Sequence, residues 1–143
     1  MALTPDEARF ADRHRIAHLA TAGAEGAPHV VPVCYARAAG CFYFVVDDKP
    51  KRTRTGLKRL RNLAANPRVA LVIDDYDEDW TRLAYLLVHG AAAVVDDRAE
   101  YVAALAALCA RYPQYGAMAL GFATHPMVRI TPLRTHFWRA ATA

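Results

Sequence analysis

Asp47-Asp48-Lys49-Pro50-Lys51-Arg52-Thr53-Arg54-Thr55-Gly56-Leu57-Lys58-Arg59-Leu60-Arg61-Asn62-Leu63-Ala64-Ala65-Asn66-Pro67 stands between two apolar runs of strand character, residues 41–46 and 68–73. Thr55 suits a helix cap, and the spacing predicts a helix to about residue 65, with Leu57, Leu60 and Ala64 toward the core. Arg54, Lys58 and Arg61 share another face. Asn66-Pro67 ends the helix, because the residue before proline avoids the helical region. From Lys49 to Arg61 there are seven basic residues (Lys49, Lys51, Arg52, Arg54, Lys58, Arg59, Arg61) and no acidic one. The chain's formal net charge is +4 and this stretch contributes +7, so the remainder is net acidic at −3. The positive charge is local, which suits a small polyanion better than a long nucleic acid.

A phosphate needs positive charge and several N–H donors at close range, and a helix N-terminus flanked by Lys and Arg supplies both. Lys58 and Arg59 are adjacent and cannot share one helical face. One can reach a pocket while the other lies at its rim or against a partner subunit. The alternative reading is a solvated surface helix.

Working outward, Thr4-Pro5-Asp6-Glu7 reads as a helix start with Thr4 as cap, and the helix ends near Arg13. Residues 15–22 read as a strand, 23–26 as a turn, and 28–36 as a second strand rich in valine. Ala39-Gly40 turns the chain into a third strand, and the three together suggest an antiparallel meander. Beyond the basic helix come a fourth strand over 68–74 and a long fifth over 83–95, with a bulge or bend at Gly90. Tyr101, Leu105, Leu108 and Tyr112 mark an amphipathic helix. A last strand covers 127–138, where Pro132 indicates an edge or a bulge. Six to seven mainly antiparallel strands with a few peripheral helices make a mostly β chain, a small closed or split barrel.

The 143 residues suit one domain, 1–143, of ordinary globular composition, with 55% hydrophobic and 22% charged residues. No apolar run approaches the ~20 residues that span a bilayer. The N-terminal residues carry acids early and lack an apolar signal core, so a cytoplasmic location is expected. Cys34, Cys41 and Cys109 are odd in number and widely spaced, which reads as reduced, mostly buried thiols.

Serine is absent from the chain, which excludes a serine nucleophile. There is no Gly-rich nucleotide loop. The six histidines lack metal-ligand spacing, and His18 and His89 read as core or interface residues. Asp75, Asp77 and Asp79 alternate, but a calcium loop counted from Asp75 would need Gly and Glu where Trp80 and Leu86 stand. The segment reads as a solvent-facing hairpin turn or a charge partner for the basic helix. No self-sufficient catalytic set is present. A barrel with an anion-binding element suits a protein that holds a phosphorylated cofactor and leaves the chemistry to it.

In order and spacing, several strings resemble the pyridoxamine 5′-phosphate oxidase-like, FMN-binding split barrels, nearest their branch of F420-dependent oxidoreductases. They are His18-Leu19-Ala20-Thr21, Gly26-Ala27-Pro28-His29-Val30-Val31-Pro32-Val33, Asp47 to Arg52, Leu60 to Val69 and Asp75 to Trp80. The resemblance runs from about residue 4 to 139. It implies a homodimer with a cofactor cleft at the subunit interface and a small-molecule substrate, with no nucleic-acid or membrane partner. By their distance from Asn66-Pro67, Lys58 and Arg59 fall where the oxidases contact the flavin phosphate. Val31, Pro32 and Val33 would line the ring, and Asn62 joins the cofactor set. Lys49, Lys51 and Arg52 would serve an anionic tail, which favours coenzyme F420, with its phosphodiester and glutamates, over FMN. The oxidases' Arg-Gln pair before the long strand's glycine is missing from Ala84 to Gly90, so pyridoxamine phosphate turnover is not implied. The expected activity is hydride transfer between reduced deazaflavin and a small organic acceptor. An FMN-dependent oxidase or reductase, or a non-catalytic flavin or haem carrier or sensor, are the alternatives. No catalytic residue is assigned; His29 and Tyr85 are the candidate proton donors.

Overall fold

The computed structural model describes residues 2–47 and 55–141, so Lys49, Lys51 and Arg52 lie outside the described residues. The elements in chain order are α1 (Pro5–Asp12), β1 (Ile16–Ala22), β2 (Pro28–Cys34), β3 (Ala36–Ala38), β4 (Cys41–Val45), α2 (Thr55–Ala65), β5 (Arg68–Asp75), β6 (Ala84–Val94), α3 (Arg98–Arg111) and β7 (Met127–Arg139). Thr4 caps α1 as expected. Its hydroxyl accepts from the Glu7 N–H at 3.2 Å and the Glu7 carboxylate accepts from the Thr4 N–H at 2.8 Å.

The seven strands form one sheet in the order β2-β1-β5-β6-β7-β4-β3, every neighbouring pair antiparallel. β2 and β3 are the two ends of that order, yet only Tyr35 separates them in the chain. A sheet whose ends are joined through one residue has to curl round on itself, and the result is a split barrel. Here the structure corrects the sequence reading. The predicted second strand, 28–36, is broken at Tyr35, and its first part pairs with β1 while its last residues pair with β4. The three-strand meander is therefore divided between opposite edges of the sheet.

The corner at Tyr35 is held by the end of α3. The Tyr112 hydroxyl accepts from the Tyr35 N–H at 3.0 Å and is 2.8 Å from the Tyr35 carbonyl and 2.7 Å from that of Arg15. Arg111 donates Nε to the Tyr35 carbonyl at 2.9 Å, and its other nitrogens to the carbonyls of Asp12 and His14. One helix end thus satisfies backbone groups from the α1–β1 link and the β2–β3 corner at once, groups that would be costly to bury unpaired.

Two apolar layers follow from strand alternation. Leu19, Phe42, Phe44, Leu71, Ile73, Leu86, Val88 and Ile130 fill the barrel interior together with Phe10 of α1. Tyr43, Val45 and Met127 point the other way, against Tyr101, Ala104 and Leu108 of α3. β4 is buried on both faces, which is why its sequence is apolar without alternation. In α2, Leu63 is buried and Leu60 packs on the barrel core, whereas Ala64, expected to face inward, is exposed.

The bulge lies where glycine and proline indicated it. Register shifts between His89 and Gly90, with Gly90 opposite Pro132. A Cβ on Gly90 would sit 2.7 Å from Ile130 Cγ2 and 2.9 Å from the Thr131 carbonyl oxygen, so only glycine fits. The acidic segment is the β5–β6 connection. Asp75 pairs not with the basic helix but with Arg13 at 2.9 Å and His14 at 2.5 Å. Asp77 and Asp79 accept hydrogen bonds from backbone N–H groups two residues on. Among the described residues no helix is long and apolar enough to cross a membrane.

Candidate functional site

Where the barrel splits, β2 pairs only with β1, and β4 pairs with β3 and β7, so β2 and β4 are not bonded to each other. A cleft of about 190 Å³ lies between them, lined by Ile16, Pro32, Val33, Cys34, Phe44, Val45, Asp47, Arg59 and Tyr115. Each lining element is placed by a feature already described. The β2 and β4 residues diverge from the Tyr35 corner. Arg59 descends from α2, which is anchored to β1 by Asn62 Nδ2 donating to Thr21 Oγ1 at 3.0 Å. Tyr115 follows α3 in a short 3₁₀ turn, Pro113–Ala117.

Arg59 dominates the electrostatics. Its residue is 7% exposed, its guanidinium carbon lies 5.7 Å from the Phe44 ring centroid, and its Nε has no hydrogen-bond partner among the described residues. Burial pulls its pKa below the ordinary arginine value, with Asp47 and then Tyr115 working against that shift. Arginine nevertheless keeps its charge in proteins. A buried donor without an acceptor costs about 1–3 kcal/mol, more when charged. Among the described residues that acceptor is missing, so the Nε is open to one.

Opposite it, the Tyr115 hydroxyl donates to Asp47 Oδ2 at 2.9 Å. Burial, reinforced by the bond to Asp47, raises the tyrosine's pKa strongly, so it stays protonated and remains a donor. The rest of the wall is apolar. A flat ring could lie against Pro32, Val33, Phe44 and Val45 with an anionic group on Arg59, so these residues fit a flavin-type cofactor bearing a phosphate.

The sequence-derived set is only partly gathered here. Arg59, Pro32 and Val33 line the cleft. Lys58 is exposed and lies with Asn62 on a separate hollow formed by Gly23, Ala24, Glu25 and Ala27. Asn62 itself is buried in its bond to Thr21, and a Cβ on Gly23 would come within 2.9 Å of Asn62 Oδ1. Val31 packs against the barrel core rather than the cleft. His29 has a buried Nδ1 without a partner among the described residues but does not line the cleft. Tyr85 stacks on Trp138, ring centroids 5.7 Å apart, away from the cleft. His18 is exposed and His89 half-buried, so neither is a core residue. All three cysteines are free and only partly buried. Sequence reasoning missed Asp47 and Tyr115 as a pair, and Cys34 and Phe44 as lining. Asp47 was visible at the head of the basic stretch, but nothing local marks Tyr115, which lies 56 residues beyond Arg59.

A family described as pyridoxamine 5′-phosphate oxidase matches residues 3–139. No curated protein matches the chain. Among solved structures, a conserved hypothetical protein of Mycobacterium tuberculosis is 23% identical, with 97% of this chain and 86% of that one covered and a TM-score of 0.73. The haem storage protein HutZ of Vibrio cholerae is 17% identical over 97% and 95% of the two chains, with a TM-score of 0.73. A FAD-binding protein of Mesorhizobium loti is 22% identical over 94% of each, with a TM-score of 0.69. At these identities the likeness is one of fold.

Proposed function

The chain belongs to the pyridoxamine 5′-phosphate oxidase family, and from that premise we propose that it is an oxidoreductase that binds coenzyme F420 in the cleft between β2 and β4. The observation that carries the proposal is the buried Arg59 guanidinium, without an acceptor for its Nε among the described residues, in an otherwise largely apolar cleft. When bound, the deazaflavin supplies hydride transfer to or from a small organic substrate. The protein's part is to bind, orient and exclude water. Arg59 holds the phosphate, Pro32, Val33 and Phe44 flank the ring, and Tyr115 presents a protonated hydroxyl toward Asp47. Lys58, on its neighbouring hollow, and Lys49, Lys51 and Arg52 serve the rest of the anionic tail. Asn62 supports this set by fixing α2 to β1.

The proposed assembly is a homodimer whose second copy completes the cleft. In support, the outer sheet face presents Val72, Tyr85 and Leu87 half-exposed, with Val30 61% and Trp138 40% exposed. Exposed and half-exposed apolar side chains gathered on one sheet face suit an interaction surface. Light scattering is expected to give twice the 15.8 kDa chain mass; a monomer at micromolar concentration refutes it. A small-molecule substrate, rather than nucleic acid or membrane, is the remaining partner.

A second reading, a non-catalytic flavin or haem carrier, is favoured by the fold shared with the haem storage protein HutZ. Fluorescence titration and turnover separate the possibilities. Coenzyme F420 is expected to bind more tightly than FMN, with a preference that shrinks as salt rises. Reduced deazaflavin is expected to be oxidised by at least one acceptor of a substrate panel. FMN binding as tightly at every salt concentration refutes the cofactor assignment in favour of an FMN enzyme. Binding without turnover moves the conclusion to a carrier.

A further inference from the structure

We propose that Arg68, His89 and Arg134 form a second anion site, separate from the Arg59 cleft, that takes the phosphate of a small phosphorylated molecule. Strand pairing brings the three together. His89 on β6 stands directly opposite Arg134 on β7, and Arg68 on β5 stands opposite Ala91, two residues along β6 from His89. Residues two apart on a strand share a face. All three therefore project from the outer sheet face, about 5 Å apart where directly opposite and about 7–8 Å on the diagonal. They line one hollow of about 200 Å³ with Val69, Gly90 and Leu133. The bulge shapes it. Register shifts between His89 and Gly90, Leu133 is left without a cross-strand partner, and Ile130 and Thr131 leave no room for a Cβ on Gly90.

The hollow has the chemistry of an oxyanion site. Arg68 and Arg134 are permanent cations, and His89 is half-buried and carries a ring N–H whether neutral or charged. None of the three side chains has a hydrogen-bond or ion-pair partner among the described residues, and the described lining holds no acid. Like charges on neighbouring strands repel, and a bound anion relieves that repulsion. Two guanidiniums and an imidazole on three strands offer donors from three directions. A phosphate dianion matches two positive charges and accepts through three oxygens; a carboxylate has one charge and one plane. A second hollow of about 300 Å³ shares Arg68, Val69 and His89 and continues over Ala20, Ala22 and Ala70. These small side chains leave an open apolar floor for the organic part of the molecule. Neither hollow shares a lining residue with the Arg59 cleft, so the site does not rest on the cofactor reading. Val72, Tyr85, Leu87 and Trp138 of the proposed dimer face lie further along the same strands, and the site borders that surface.

The test is an NMR titration of the full chain with inorganic phosphate, phenyl phosphate and benzoate, on wild type, Arg68→Gln, Arg134→Gln and Arg59→Met. The backbone amides of His89, Gly90 and Leu133 report the site. Both phosphates are expected to shift them saturably, phenyl phosphate more tightly and with added shifts at Ala20 and Ala70. Benzoate is expected to bind more weakly than phenyl phosphate. Arg68→Gln and Arg134→Gln are each expected to weaken phenyl phosphate binding by on the order of tenfold. That is the low end for a charge-assisted hydrogen bond, because both arginines are exposed. For the same reason both variants are expected to melt with wild type. Arg59→Met is expected to leave these shifts unchanged. Unmoved amides at millimolar phenyl phosphate, equal binding of benzoate, or full affinity in both glutamine variants overturns the proposal. So does loss of the shifts in Arg59→Met. If a carboxylate of a second copy fills the hollow instead, the glutamine variants weaken the dimer in light scattering while the phosphates leave the amides unmoved, and the proposal falls.

Discussion

Replacing Arg59 with methionine tests the cleft directly. Methionine keeps an unbranched stem of similar length and removes the guanidinium. A charge-assisted hydrogen bond contributes about 1.5–3 kcal/mol, so cofactor binding is expected to weaken by roughly 10- to 150-fold, each 1.4 kcal/mol being a factor of ten. The effect on the empty protein is worked out separately. Arg59 is 7% exposed, its Nε lacks a partner among the described residues, and its charge lies 5.7 Å from the Phe44 ring centroid and is coupled to Asp47. Substitution relieves about 1–3 kcal/mol of unmet donor cost and forfeits a cation–π contact of about 0.5–2 kcal/mol and the attraction to Asp47. These terms oppose each other, so stability is expected to stay within about 1 kcal/mol of wild type, a shift of only a few degrees in melting temperature. The assay is a fluorescence titration beside a thermal melt. Lys58→Ala, on the neighbouring hollow, is expected to weaken binding less than Arg59→Met. Unchanged affinity in Arg59→Met refutes the cleft as the phosphate site. A fall of more than about 10 °C shows Arg59 to be a structural group instead.

Three further expectations concern the fold. Tyr112→Phe removes a hydroxyl that lies within 3.0 Å of three backbone groups at the barrel corner; it is expected to cost about 1–3 kcal/mol in denaturant unfolding, and a loss below 0.5 kcal/mol would show that the corner does not depend on it. Ala39 precedes Gly40 in the β3–β4 turn with φ of 50°, a left-handed conformation that asparagine tolerates better. Ala39→Asn is expected to stabilise by about 0.5–1 kcal/mol, read as a rise in melting temperature, and no rise would contradict the strain argument. Burial raises the proton affinity of Asp75, but hydrogen bonds from His14 and Arg13 overcome that and hold its pKa below the ordinary carboxylate value. Its stabilising contribution is thus fully present above that ordinary value, near pH 4, and is lost as pH falls through the depressed one. Asp75→Asn should be less stable than wild type at pH 7 and show a flatter acid limb below the ordinary carboxylate value of about pH 4; parallel limbs would refute this.

Local signals in the chain were enough to place most of the elements, though not the break that makes β2 and β3 of the single strand expected over 28–36. Thr4 and Glu7 announced the first helix, Asn66-Pro67 the end of the second, Gly90 and Pro132 the bulge, and the valine-rich and aromatic runs the strands. These are short-range effects of caps, proline and side-chain alternation, and they act wherever the residues stand. The family was legible for the same reason, because it is carried by the order and spacing of such signals. Tertiary structure alone decided that residues 28–36 bend at Tyr35, since that bend is held by Arg111 and Tyr112, more than 70 residues away. It also decided which of two adjacent cations turns inward. Lys58 and Arg59 are equivalent in charge and lie one residue apart, and Asn62 bonded to Thr21 anchors the helix that buries Arg59 and leaves Lys58 in solvent. The pairing of Tyr115 with Asp47 had no local trace either. A cleft between the two edges of a closing sheet gathers side chains from β1, β2, β4, α2 and the turn after α3, and their nearness is set by how the barrel shuts rather than by any spacing along the chain.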